Sequence, residues 1–60
     1  MKELDRLAYK IISYGDIISI YEAVDKYNTK INAVELEYNM ENVIIFLDSR
    51  NVCTAIIRKE

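Results

Sequence analysis

The 60-residue chain has no histidine, one cysteine and one glycine, and these absences exclude several kinds of site. The lone Cys53 cannot form a disulfide within the chain, and without histidine or a second thiol there is no ligand set typical of zinc. A single glycine, Gly15, cannot supply a glycine-rich loop for a phosphate. We therefore expect no metal and no cofactor, and we interpret Cys53 as a small buried hydrophobe in a reducing compartment.

Long apolar segments are also absent. The longest uninterrupted apolar run has five residues, at 43–47, whereas a membrane-spanning helix needs about 20. The N-terminus is charged and amphipathic and lacks the apolar core of a signal peptide. These features predict a cytoplasmic protein that makes no membrane contact.

The charge balance is mildly acidic, with ten acidic and eight basic residues and a net charge of −2. A partner bound through phosphates requires clustered lysine and arginine, so we expect no nucleic-acid partner. Ile, Tyr, Asn, Lys, Met and Phe account for 28 of the 60 residues. These residues have AT-rich codons, which suggests an origin in a phage, a mobile element or a low-GC bacterium.

An enzyme without histidine must use carboxylates, lysine or tyrosine as its general base. Glu35 and Glu37 lie on one side of a predicted strand, about 7 Å apart, which overlaps the spacing of paired catalytic carboxylates. However, so short a chain has little material left to build a cleft around them. The pair is more typical of a solvated strand edge, and we predict no catalytic residue and no enzyme activity.

Two helices are predicted in the first half of the chain. The first helix is predicted over residues 3–14 by an apolar stripe at helical spacing. The stripe consists of Leu4, Leu7, Ala8, Ile11 and Ile12. Gly15 then stands where a left-handed C-cap is wanted. Asp16 is a suitable N-cap for a second helix that ends at Asn28-Thr29. The apolar stripe of that helix consists of Ile17, Ile20, Tyr21 and Val24.

The second half changes to the period-2 alternation of strands. Strands are predicted over residues 31–38, 43–48 and 52–58, separated by turns that are rich in Asn and Asp. The predicted fold is α+β, a helical hairpin followed by a three-stranded antiparallel meander, ααβββ. Residues 1–60 form a single domain in this interpretation.

The central strand is apolar on both sides, as a strand buried above and below would be. One covering layer is all that the rest of so small a chain can supply. We therefore predict a homo-oligomer, at least a dimer, that associates through the sheet. The residues assigned to this contact are Val43, Ile45, Leu47, Cys53 and Ile57.

Another surface is predicted to bind a different protein. It combines exposed apolar residues of the predicted helices with an acidic strand edge that could steer a basic partner. Its residues are Tyr9, Ile18, Glu35, Glu37 and Glu41.

The leading hypothesis is a non-enzymatic protein-binding module, an inhibitor or antitoxin-like modulator of a host protein that acts as a homo-oligomer. The alternative is a small winged-helix transcription regulator, in which residues 30–40 form a recognition helix instead of a strand. In that helix Glu35, Glu37 and Glu41 would face DNA and repel its phosphates. A weaker alternative is a structural subunit whose assembly is itself the function.

Overall fold

The computed structural model describes residues 3–59 and consists, within them, of one helix followed by a four-stranded antiparallel sheet. The elements are α1 (Glu3–Tyr14), β1 (Asp16–Val24), β2 (Lys30–Tyr38), β3 (Glu41–Leu47) and β4 (Cys53–Lys59). The strands lie side by side in chain order, β1-β2-β3-β4. The sheet is therefore a meander of three successive hairpins.

The predicted second helix, and with it the ααβββ order, is wrong. Residues 16–24 form β1 and pair with β2. Ile17, Ile18 and Ile20 are β-branched and Tyr21 is aromatic, which favours a strand over a helix. A β-bulge between Ile17 and Ser19 interrupts the alternation, so the apolar residues fall at spacings that imitate a helical stripe.

The loop between β1 and β2 is organised by one carboxylate. Asp25 Oδ1 accepts hydrogen bonds from the backbone N–H groups of Tyr27 and Thr29, both at 2.9 Å. Asn28 adopts a φ of 62°, a left-handed conformation that Asn tolerates better than most residues. This Asp-x-x-Asn sequence therefore makes a tight hairpin loop where the sequence analysis placed the end of a helix.

The loop between β3 and β4 has the same chemistry. Asp48 Oδ1 accepts hydrogen bonds from the N–H groups of Arg50 at 2.8 Å and Val52 at 3.0 Å, and Asn51 has a φ of 64°. Here the sequence does predict a turn. The two outer hairpins thus close in the same way, 23 residues apart.

The central hairpin turns at Asn39 and Met40, whose φ angles are 55° and 67°. Two consecutive positive φ values are typical of the type I′ turn that joins tightly paired strands. The register that follows places Tyr38 opposite Glu41.

The core lies between α1 and the inner part of the sheet. Its buried residues are Ala8, Ile11, Val34, Leu36, Val43, Ile45 and Cys53. A hydrogen bond from the backbone N–H of Cys53 to Asp5 Oδ1, 3.0 Å long, ties α1 to the start of β4. The helix packs mainly against β4 and less against β2.

Gly15 connects α1 to β1 at a point of close approach. A Cβ atom there would lie 2.6 Å from Leu36 Cδ1 and 2.7 Å from the carbonyl oxygen of Ile11. The left-handed C-cap predicted from the sequence is wrong, since Gly15 does not have a positive φ. Glycine is required at this position by lack of space.

The sheet face opposite α1 carries Ile31, Ala33, Ile44 and Phe46, as the pairing register shows. We call it the open face, since no helix among residues 3–59 covers it. Ala33 is nevertheless fully buried, and Ile31 and Ile44 are 9% exposed, because larger cross-strand neighbours such as Phe46 cover them. The doubly apolar β3 is thus largely buried within one copy of the chain.

Candidate interaction surface

Within residues 3–59, β1 is an edge strand with a neighbour, β2, on one side only. Its other side presents unpaired backbone N–H and C=O groups, which can pair with a strand from another chain. Among the described residues, the hydrophobic core contains none from β1. The strand is therefore held by its ladder to β2 and by cross-strand contacts rather than by burial.

Apolar side chains of β1 are exposed on both faces of the sheet. The pairing register places Ile17, Ile20 and Val24 on the α1 side and Tyr21 on the open face, with Ile18 at the bulge. The exposed fraction runs from 40% for Tyr21 to 64% for Ile20. Apolar side chains and unpaired backbone groups therefore lie along one edge of the molecule.

β1 has few of the features that keep natural edge strands from pairing. Such features are lysine, proline, short length and bulges. β1 is nine residues long, contains neither lysine nor proline, and carries the charges of Asp16 and Glu22. Its bulge lies near its start, at Ile18, so residues 19–24 form a regular edge.

The two ends of β1 differ in charge. Asp16, the first residue, pairs with Glu37 of β2, so two carboxylates lie at that end. Lys30 pairs with the last residue of β1, and Lys26 follows in the loop. Lys30 also forms an exposed ion pair with Glu22, with 3.9 Å between Nζ and Oε2. One end of the edge is therefore acidic, whereas at the other end Glu22 and Asp25 balance the charges of the two lysines.

The two apolar residues predicted to bind a partner, Tyr9 and Ile18, are both exposed, at 74% and 56%. They lie on different elements. Ile18 belongs to the β1 edge, whereas Tyr9 lies on α1, which packs mainly over β4 at the opposite edge. The structure therefore separates the two residues and leaves Ile18 with the apolar row of β1.

The predicted acidic set is divided as well. Glu35 and Glu37 do share the open-face side of β2, as the register indicates. Glu35 Oε2 lies 3.3 Å from Lys59 Nζ, and Glu41 Oε2 lies 3.0 Å from Arg58 Nε. Two of the three carboxylates therefore have a basic partner within the chain, and Glu37 adds to the acidic end of β1.

The residues predicted to self-associate do not form one surface. Val43, Ile45 and Cys53 are buried beneath α1, and Leu47 packs partly buried against the same core. Ile57 lies on the open face and is 46% exposed. The exposed row on β1 was not predicted from the sequence, because its spacing assigned those side chains to the core of a helix. The Asp-x-x-Asn loop after the segment was the signal that could have identified a strand.

Cys53 borders a cavity of about 400 Å³ between α1 and the start of β4. Its Sγ donates a 3.5 Å hydrogen bond to the carbonyl oxygen of Ala55. Burial raises the pKa of the Cys53 thiol above its ordinary value, and the nearby Asp5 carboxylate adds to the shift. A thiol with a raised pKa is protonated at neutral pH and is not an activated nucleophile.

A shallow groove of about 680 Å³ on the open face adjoins the β1 edge. Its apolar lining comes from Val24, Tyr27, Ile31, Phe46 and Ala55, with Asp25, Lys26 and Thr54 at its rim. Lys26 Nζ lies 5.1 Å from the centre of the Tyr27 ring. The groove runs from the end of β1 across the open face to β4.

Within residues 3–59, no three acidic or thiol side chains gather as metal ligands would. No helix of that range is long and apolar enough to cross a membrane. Comparison with protein-family models, curated proteins and solved structures finds no match for the chain. The β1 edge is therefore the feature of this fold that points most directly to a binding function.

Proposed function

We propose that the chain is a non-enzymatic protein-binding module that binds by strand addition at β1. The observation that carries this proposal is the nine-residue edge strand, whose large apolar side chains are all at least 40% exposed. An added strand would pair with the free backbone groups and cover the apolar row on both faces. In such recognition the main-chain hydrogen bonds supply affinity and the alternate side chains supply specificity.

The chemistry of the edge favours a protein partner over a nucleic acid. Strand addition requires an extended polypeptide, and β1 itself has only acidic charges, Asp16 and Glu22, which repel phosphate. The winged-helix alternative needs a recognition helix over residues 30–40, and the structure has β2 (Lys30–Tyr38) there. The strand at this position counts against that alternative.

Inhibition of a host protein and a cytoplasmic location remain predictions from the sequence. A purely structural role, in which assembly is itself the function, would use the same edge. These uses differ in whether the strand that adds to β1 comes from a foreign protein or from another copy of this chain.

The proposal can be tested with a displayed library of random linear peptides, selected against the protein at nanomolar concentration. We expect enriched peptides to alternate apolar and polar residues and to bind Ile20→Lys at least tenfold more weakly. Ile57→Lys is the matched control, because Ile57 is also exposed but lies on β4. Circular dichroism checks that both variants fold.

A chemical variant of the selected peptide tests the binding mode. In strand addition every second backbone amide of the peptide donates to β1. Methylation of those amides should abolish binding, and methylation of the intervening ones should be tolerated. Peptides that bind Ile20→Lys as tightly as the parent, or that tolerate methylation at every position, would refute strand addition at β1.

A further inference from the structure

We infer that the strand added to β1 is the β1 of a second copy, paired antiparallel about a two-fold axis. This inference rests on the proposed function and names the partner at the same edge. Two sheets of four strands would join into one sheet of eight. Because the axis is perpendicular to the sheet, both α1 helices would lie on the same side.

The charges at the ends of β1 favour this arrangement. Antiparallel pairing brings the end with Asp16 and Glu37 of each copy beside the end with Lys26 and Lys30 of the other. Parallel pairing would place the two acidic ends, each with Asp16 and Glu37, beside each other. Within residues 3–59, neither Asp16 nor Lys26 takes part in an ion pair, so both are available to a second copy.

The side chains at the centre of β1, residues 19–21, are compatible with pairing to themselves, and residues 22–24 then lie opposite residues 16–18, which include the bulge. In a register centred on Ile20, this side chain meets its own copy, and Ser19 lies opposite Tyr21. Directly opposed residues of an antiparallel pair point to the same face of the sheet. Ser19 and Tyr21 meet this condition, because the pairing of β1 with β2 places both on the open face. Glu22 is then kept away from Glu22 of the other copy, which a register centred on Glu22 would not allow.

The size of the edge is at the lower limit for a specific interface. Nine residues extend about 30 Å, and the molecule is 16 Å thick in its smallest dimension. Each copy therefore presents roughly 500 Å², and a pair buries about 1,000 Å² in total, where specific interfaces begin. We expect a dimer that dissociates at micromolar concentrations.

Cross-linking tests the register directly. In a Cys53→Ala background, Ile20→Cys should form a disulfide-linked dimer under mild oxidation, because opposed residues in an antiparallel pair lie about 4.5–5.5 Å apart at Cα. Tyr9→Cys is the matched control, an exposed position on α1 that should cross-link much more slowly. Equal cross-linking of the two variants would overturn the register.

Sedimentation equilibrium tests the interface. Ile20→Lys should raise the dissociation constant at least tenfold, and Ile57→Lys should leave it unchanged. Asp16→Lys should weaken the dimer by a few-fold, and adding Lys26→Asp should restore it, because the swap re-creates opposite charges across the two-fold axis. A dimer weakened by Ile57→Lys and not by Ile20→Lys would place the interface on the open face and overturn the inference.

The outcomes separate this inference from the proposed function. A monomer at all concentrations that still binds selected peptides through β1 would overturn the second copy as the occupant and keep strand addition to another protein. A monomer that binds no peptide would refute both. A dimer lost in Ile20→Lys, together with rapid cross-linking at position 20, supports the second copy.

Discussion

The two outer hairpins close with the same Asp-x-x-Asn loop, yet their outer strands, β1 and β4, lie in different environments. β4 begins beneath α1, with Cys53 buried in the core, whereas β1 contributes nothing to that core. The contrast is sharpest around Val34, which pairs with Ile20 of β1 on one side and Ile45 of β3 on the other. Ile45 is fully buried, and Ile20 is 64% exposed.

The difference shows that hairpin formation and burial have separate causes. Each loop is organised locally, by one aspartate and one asparagine. Burial depends on where the single helix of the described residues lies, and the Asp5–Cys53 hydrogen bond ties that helix to the β4 side of the sheet. The free edge at β1 is thus a consequence of having one helix to cover four strands.

The largest effect is expected from the matched pair that flanks Val34. Ile45→Ala should lower the free energy of unfolding by about 2–5 kcal/mol, because it leaves a cavity in a packed core. Ile20→Ala should cost no more than about 0.5 kcal/mol, as substitutions on exposed surface do. Urea titrations measure both free energies of unfolding, at a protein concentration below the dissociation constant of the dimer. Equal costs would mean that β1 is covered within one copy.

Gly15, where α1 meets β1, should be the next most sensitive position. Gly15→Ala should destabilise the fold by roughly 1–3 kcal/mol, as overpacking does, because the added Cβ would meet Leu36 Cδ1 at 2.6 Å and two backbone carbonyl oxygens within 2.9 Å. Thermal unfolding of this variant beside Ser13→Ala, an exposed helical position, provides the comparison. A melting temperature equal to that of the parent would contradict the close approach.

Substitution of the two loop aspartates should have different effects, one on global stability and the other on local opening of β1. Each carboxylate accepts two backbone hydrogen bonds, and loss of comparable capping bonds costs about 1 kcal/mol. We expect Asp48→Ala to lower global stability by about that amount. Asp25→Ala should chiefly speed amide exchange within β1, because an edge strand outside the core can open without unfolding the rest.

Amide hydrogen exchange measured by NMR distinguishes these two results. Exchange that rises throughout the sheet in Asp25→Ala would show that β1 unfolds only together with the core. The two outer hairpins would then differ in the exposure of their side chains but not in stability.

The smallest expected effect is a pH dependence of stability that comes from Cys53, the buried first residue of β4. Burial raises the pKa of Cys53 above its ordinary value of 9.0, so the unfolded chain releases this proton at lower pH than the folded protein. The contribution to stability is therefore present below that value and is lost as pH rises above it. Cys53→Ala should lose less stability than the parent between neutral pH and pH values above 9.0, measured by urea titration. Identical pH profiles would contradict the burial of the thiol.

Several parts of this structure are determined by local sequence. The apolar stripe of α1 and the alternation in β2 predict those elements, because each pattern matches one period. The doubly apolar run at residues 43–47 likewise predicts a central strand. The acidic balance, the lone cysteine and the absence of histidine limit the chemistry before any coordinates are known.

The secondary structure of residues 16–24 and the location of the interaction surface were decided only by tertiary structure. Ile17, Ile20, Tyr21 and Val24 fit a helical stripe by spacing, and pairing with β2 across a bulge converts the segment to a strand. Since side-chain spacing reports local geometry and not the position of a covering element, it could not distinguish a buried row from an exposed one. The sequence supplied the apolar residues of β1, and the placement of α1 over the other strands left them at a free edge.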